Sequence, residues 1–97
     1  MEKFTLFIGL NDGKTGKQIF TTEDAKKTVI KCALEYVDGL TISDAVGVYL
    51  GAAENSLRVE FMYTTRDAVE KIAAAVKIAL NQNCVLMQRE MVNISEI

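Results

Sequence analysis

The stretch Thr41–Tyr63, TISDAVGVYLGAAENSLRVEFMY, decides the fold. From Leu57 to Tyr63 every second residue is apolar, and Arg58, Glu60 and Met62 stand between them. A period of two is typical of a β-strand that packs one face on a core. The first half of the stretch predicts another strand, so the whole stretch is expected to form a pair of strands with a helix on either side.

The flanking segments complete a βαββαβ order. The sequence predicts strands over Lys3–Leu10, Leu40–Leu50, Leu57–Tyr63 and Cys84–Ile94, a hairpin loop over Gly51–Asn55, and helices over Thr21–Val37 and from a Thr64 cap to Asn81. Gly39 is expected to end the first helix in the left-handed conformation. This order predicts an α+β, ferredoxin-like fold, with a four-stranded antiparallel sheet and two helices on one face.

Length and composition limit the classes of protein. The 97 residues predict a single domain, 1–97, and no apolar run is long enough to span a bilayer. We therefore expect a cytoplasmic protein that does not bind membranes. The net charge of −2 argues against nucleic-acid binding. Cys32 and Cys84 are expected to be reduced and buried.

One face of such a sheet is left without helices, and here it carries apolar groups. Phe7, Met62 and Met87 are the candidates for an interface on that face. The sequence therefore predicts a homo-oligomer packed through the sheet or its edges. A ligand surface and a monomer with a mixed last strand stay open as alternatives.

Four basic residues are candidates for binding an anionic ligand or a partner. Lys14 and Lys17 lie in the loop after the first strand, and Arg58 and Arg89 lie in strands. If both arginines share the open face, they are expected to hold a phosphate or a carboxylate. The simpler and preferred interpretation of the arginines is a cross-strand ion pair with Glu60 or Glu90.

Motifs of several catalytic and binding classes are missing. The segment Gly9–Thr15 has three residues where a P-loop needs four, and no helix begins at its Lys-Thr. The third strand lacks an RNA-binding signature, and the first loop lacks the Cys-x-x-Cys of a metal carrier. The chain has no histidine. These observations predict a protein that is not an enzyme and has no metal site, no catalytic residue and no cofactor.

Three segments carry a resemblance: FIGLND at Phe7–Asp12, Asp38–Thr41, and Asp44–Gly47. They resemble segments of short uncharacterised bacterial and phage proteins with a ferredoxin-like fold. The resemblance implies a phage-encoded inhibitor of host defence that binds a host protein or sequesters a small anionic, nucleotide-like ligand at a subunit interface. The alternative is a small metabolic enzyme or ligand sensor, with Lys14, Lys17 or Tyr49 near a cleft.

Overall fold

A computed structural model describes all 97 residues and confirms the ferredoxin-like α+β fold. The elements are β1 (Glu2–Gly9), α1 (Thr22–Ala33), β2 (Thr41–Tyr49), β3 (Ala52–Phe61), α2 (Arg66–Ala79) and β4 (Leu86–Met91). The four strands form one antiparallel sheet in the order β2-β3-β1-β4. No helix is long and apolar enough to cross a membrane.

Strand β1 lies inside the sheet, between β3 and β4, and it has apolar residues on both faces. Leu6 is opposite Val59 of β3 on one side and opposite Met87 of β4 on the other. Fourteen buried apolar residues from β1, β3 and the two helices, with Leu10 and Leu80 at the element ends, form the core. Since opposite residues in antiparallel strands share a face, this register fixes which side chains point away from the helices.

Both helices begin at threonine caps. The Thr21 hydroxyl accepts a hydrogen bond from the N–H of Asp24 at 3.1 Å and so caps α1. The cap of α2 is Thr65 rather than Thr64. Helix α1 ends at Ala33 with Leu34 in a right-handed conformation, so the prediction that Gly39 ends it in a left-handed conformation is wrong.

The turn between β2 and β3 is shorter than predicted. Tyr49 is opposite Ala52, which leaves only Leu50 and Gly51 as the turn, with φ values of 50° and 78°. Positive φ at both turn residues is the geometry of a two-residue hairpin that follows the strand twist. The segment GAAEN, expected to be a loop, therefore contributes four of its five residues to β3.

Extension of these strands makes a projecting arm. The last pair between β1 and β3 is Gly9 with Ser56, whereas β2 and β3 continue pairing from there to the turn. We call residues Val46–Asn55 the hairpin arm. It is a two-stranded ribbon for most of its length, and it forms one end of the open face of the sheet.

The two helical isoleucines on α2 provide a matched test of the core. Ile72 is fully buried, whereas Ile78 is 82% exposed on the same helix. We expect Ile72→Ala to lower the free energy of unfolding by about 2–5 kcal/mol, because it removes buried methylene groups and leaves a cavity. Ile78→Ala should change it by less than about 0.5 kcal/mol. Urea unfolding followed by circular dichroism measures both, and equal effects would contradict this placement of α2.

Candidate functional site: the open-face hollow

The largest depression on the molecule lies on the helix-free face, between the hairpin arm and two loops. Its volume is about 850 Å³. We call it the open-face hollow. Its floor comes from β1, β3 and β4, and its walls come from the arm, the loop after β1 and the loop before β4.

The floor of the hollow contains one row of side chains across the sheet. Phe7 of β1 is opposite Arg58 of β3 on one side and Leu86 of β4 on the other. Phe7 is 39% exposed and Leu86 is 64% exposed, which leaves an apolar surface beside a guanidinium group. Such a surface can hold a flat or apolar ligand group while the cation binds a carboxylate or phosphate.

Asp12 organises the loop that forms one wall. Its Oδ2 accepts hydrogen bonds from the N–H groups of Lys14 and Thr15, both at 3.0 Å. Its Oδ1 accepts one from Asn81 Nδ2 at 2.6 Å, and the residue is only 7% exposed. The Asn81 hydrogen bond, followed by that from the Thr15 N–H, holds the pKa of Asp12 below its ordinary value.

Further hydrogen bonds join this loop to the segment between α2 and β4. Asn81 also accepts the N–H of Gly13 through its carbonyl oxygen at 2.7 Å, and Asn83 Nδ2 donates to the carbonyl oxygen of Gly13 at 3.2 Å. Gln82 Nε2 donates to the carbonyl oxygen of Asn11 at 2.8 Å. A β-carbon at Gly13 would lie 2.6 Å from Asn83 Oδ1, so the close approach requires glycine.

Glu54 connects the hairpin arm to the same loop. Its Oε2 accepts the N–H of Asn11 at 2.9 Å, and its carboxylate covers Gly9, where a β-carbon would lie 2.7 Å from Oε2. The other oxygen, Oε1, has no hydrogen-bond partner. Glu54 is partly exposed and lines the hollow, so Oε1 can accept a hydrogen bond from a ligand or face its positive charge.

A chain of charges continues along the open face from the hollow. Arg58 lies 3.3 Å from Glu60, and Glu60 lies 2.5 Å from Lys3 Nζ. The hydrogen bond between Lys3 and Glu60 raises the pKa of Lys3 and lowers that of Glu60. Because Arg58 is about half exposed, its ion pair is weakly held and the guanidinium can turn towards a ligand.

The structure separates the two arginines that were expected to act together. Arg58 lines the hollow, but Arg89 is opposite the core residue Phe4 and therefore lies on the helix-covered face. Arg89 Nε is 3.0 Å from Glu2. The prediction that both guanidinium groups hold one anion on the open face is therefore wrong. Each arginine has a carboxylate neighbour instead.

The remaining predicted binding residues are scattered. Lys14 and Lys17 are exposed in the loop after β1, but neither side chain makes an ion pair or lines the hollow. Of the three expected interface residues, only Phe7 lies in the hollow. Met62 lines a separate depression of about 380 Å³ at the other end of the sheet, and Met87 packs against the core from the helix-covered side.

Several residues of the hollow were missed from the sequence. Glu54 was placed in a turn, and Leu86 was not distinguished from Met87 because β4 is apolar on both faces. Cys84 is exposed and lines the hollow, so the expectation that both cysteines are buried is wrong; both thiols are free. The polar side chains of Asn11–Asp12 and Asn81–Asn83 were the only signal in the sequence that these two loops are in contact. No group of three or more His, Cys, Asp or Glu side chains could hold a metal ion.

Comparison with known proteins shows the fold but no family. No protein-family model matches the sequence, and no curated protein matches it. Among solved structures, a phage SAM lyase without ligand is similar with a TM-score of 0.65 and 21% identity, over 92% of this chain and 78% of that one. The same kind of protein, a phage SAM lyase in complex with S-methyl-5′-thioadenosine, is similar with a TM-score of 0.59 and 17% identity, over 92% and 79%.

A bacterial protein shares the fold as well. A DUF3240-family protein from Shewanella baltica is similar with a TM-score of 0.63 and 11% identity, over 99% of this chain and 94% of that one. These likenesses confirm the resemblance to bacterial and phage proteins of this fold.

The comparison with the phage SAM lyase overturns the prediction that the protein is not an enzyme. The similar chain is a lyase with the same architecture over nearly all of the present chain. The prediction rested on the missing histidine and on missing motifs, which exclude only the reactions that need those groups. Catalysis by positioned charges and backbone groups requires neither.

Asp12 provides a test of the wall of the hollow. We expect Asp12→Asn to lower the urea midpoint at pH 7, because the charge that accepts three hydrogen bonds is lost. The folded pKa of Asp12 is below 3.8, so its stabilisation is present above that pH and disappears as the pH falls through the folded pKa. The difference between variant and wild type should therefore shrink on acidification.

Asp38→Asn is the matched control, since Asp38 is exposed and makes no side-chain hydrogen bond or ion pair. It should leave the urea midpoint unchanged at pH 7. A loss for Asp12→Asn that is the same at pH 7 and at pH 2 would show that the carboxylate charge does not hold the two loops together.

Proposed function

We propose that the protein is an enzyme that binds S-adenosylmethionine in the open-face hollow and cleaves it to S-methyl-5′-thioadenosine. The observation that carries the proposal is the hollow itself, which combines aromatic side chains, a free carboxylate oxygen and a guanidinium group. The likeness to a phage SAM lyase over 92% of the chain supports the choice of substrate.

The chemistry of the substrate suits the lining of the hollow. S-adenosylmethionine has a flat adenine, a positively charged sulfonium and an amino-acid end with a carboxylate. Tyr49 and Phe7 offer aromatic faces for the adenine, and both are partly or fully exposed in the hollow. The guanidinium of Arg58 can pair with the substrate carboxylate, and the free carboxylate oxygen of Glu54 can face the positively charged sulfonium.

The arrangement of Glu54 and Arg58 supports one orientation of the substrate. They lie four residues apart on the same face of β3, so their Cα atoms are about 13 Å apart at the usual strand rise. This spacing matches an elongated ligand with charges of opposite sign at different points. Binding in this orientation replaces the weak pair between Arg58 and Glu60 by one with the substrate carboxylate.

Cleavage of a sulfonium needs little from the protein, which explains how it proceeds without histidine. The bond between sulfur and the γ-carbon of the amino-acid part breaks, and sulfur keeps the electron pair. The product thioether is neutral, so no general acid is required. The γ-carbon forms a new bond to an oxygen of the substrate's own carboxylate. This step closes a lactone and requires no proton transfer.

Removal of S-adenosylmethionine also gives a role consistent with the phage resemblance. A phage-encoded enzyme that consumes the cellular methyl donor would deprive host defence systems that depend on it. The proposed anti-defence role therefore acts through turnover of a small molecule.

The test measures conversion of S-adenosylmethionine by purified protein, with S-methyl-5′-thioadenosine detected by liquid chromatography. We expect the product to accumulate with the wild type. Glu54→Gln retains an acceptor for the Asn11 N–H but removes the charge, and it should lower kcat/KM by roughly tenfold or more, equivalent to about 1.4 kcal/mol. Arg58→Ala should raise KM more than it lowers kcat.

Glu35→Gln is the matched control for the Glu54 variant. Glu35 is exposed after α1 on the other side of the molecule and makes no ion pair, so its activity should equal that of the wild type. If no preparation of the wild type forms the product, the proposed lyase activity is wrong. A rise in melting temperature with S-adenosylmethionine but no product would contradict cleavage while retaining binding in the hollow.

A further inference from the structure

The hairpin arm exposes apolar side chains on the face that the helices cover elsewhere. Val46 is 68% exposed and Val48 is 70% exposed. Their register partners, Asn55 and Ala53, lie on the part of β3 that extends past β1. The helices of the chain leave this part of the arm uncovered. Neighbouring exposed apolar side chains can mark a protein–protein interaction surface.

The free edge of β2 carries no protection against pairing. Natural edge strands are usually short or charged, and β4 fits this description with six residues that include Arg89 and Glu90. Strand β2 has nine residues and a single charge, Asp44. The Asp44 carboxylate is held 2.6 Å from Lys26 Nζ, so it does not project a free charge towards the edge.

The accessible surface is larger than a monomer of this size requires. It is 6412 Å² for a chain of 10.7 kDa. The usual scaling for folded monomers gives about 5,500 Å², so the excess is roughly 900 Å². A stable protein–protein interface buries about 800 Å² on each partner. The excess is therefore enough to form one interface between two copies.

We infer that two copies of the chain pair through β2 to form one continuous eight-stranded sheet. An antiparallel arrangement with the two-fold axis at Ala45 uses all nine residues of the strand, since Ala45 is the middle residue of Thr41–Tyr49. It places Ser43 opposite Gly47 of the partner subunit. It also avoids direct opposition of the two Asp44 residues, which instead face Val46 of the partner subunit.

This register gives one of the two exposed valines of the arm an apolar neighbour. Val48 falls opposite Ile42 of the partner subunit, on the helix side of both copies. Ile42 is half-buried and packs against the core, so the partner's Ile42 offers an apolar surface for Val48. The two-fold axis runs perpendicular to the sheet, so both pairs of helices lie on the same side. The inference concerns assembly and does not depend on the proposed activity.

Light scattering of the purified wild type tests the assembly, and we expect a mass of about twice 10.7 kDa. Val48→Lys introduces a charge at an exposed position and should halve that mass while leaving the circular dichroism spectrum unchanged. Ile78→Lys is the matched control, since Ile78 is 82% exposed on α2, a helix that packs against α1 and β1; this variant should remain dimeric. A wild-type monomer at about 100 µM, roughly a hundred times a dissociation constant of 1 µM, would overturn the inference.

Cysteine cross-linking tests the register and the partner strand. In a Cys32→Ser, Cys84→Ser background, Ala45→Cys should give a covalent dimer with diamide, because opposite β-carbons lie about 4.5–5.5 Å apart in a paired sheet. Ser43→Cys on the same strand and face should not, since its thiols would be about 13 Å apart at the usual rise. Equal cross-linking of both variants, or cross-linking of Ser43→Cys alone, would overturn this pairing.

Discussion

The carboxylate of Asp12 is the constraint on which the open-face hollow depends. It accepts hydrogen bonds from two backbone N–H groups of the loop after β1, and it accepts another from Asn81, 69 residues further along the chain. Three further hydrogen bonds join the same two loops, and this one is the only one of the four that involves a charged group. The sheet supplies the floor and the arm, so the other two walls depend on polar contacts outside the regular elements.

The position of β1 between β3 and β4 gives the second constraint. Its register decides which residues of each neighbour share a face, and one strand therefore sorts Arg58 and Leu86 into the hollow and Met87 and Arg89 out of it. The two faces of β3 could be predicted from the sequence because charged and apolar residues alternate along that strand. Strand β4 is apolar on both faces, so only pairing with β1 could decide its orientation.

The sequence was sufficient for the element order and for the apolar face of β3, since these follow from local periodicity. The two-residue turn at Leu50-Gly51 was missed because a leucine with positive φ is unusual and GAAEN has the composition of a loop. The contact between Asp12 and Asn81 joins distant segments that only the completed fold brings together. Function was harder still, because the reaction proposed for the hollow uses charge placement and leaves no catalytic motif.

The hairpin arm has a consequence for how the molecule fluctuates. A two-stranded ribbon beyond the last pair of β1 lacks a core of its own, so its hydrogen bonds can open without unfolding the rest of the sheet. Amide hydrogens there should exchange with solvent much faster than those of β1. A substrate or a second subunit that binds the arm therefore orders a part of the chain that opens easily. The entropy lost in this ordering reduces the free energy of binding.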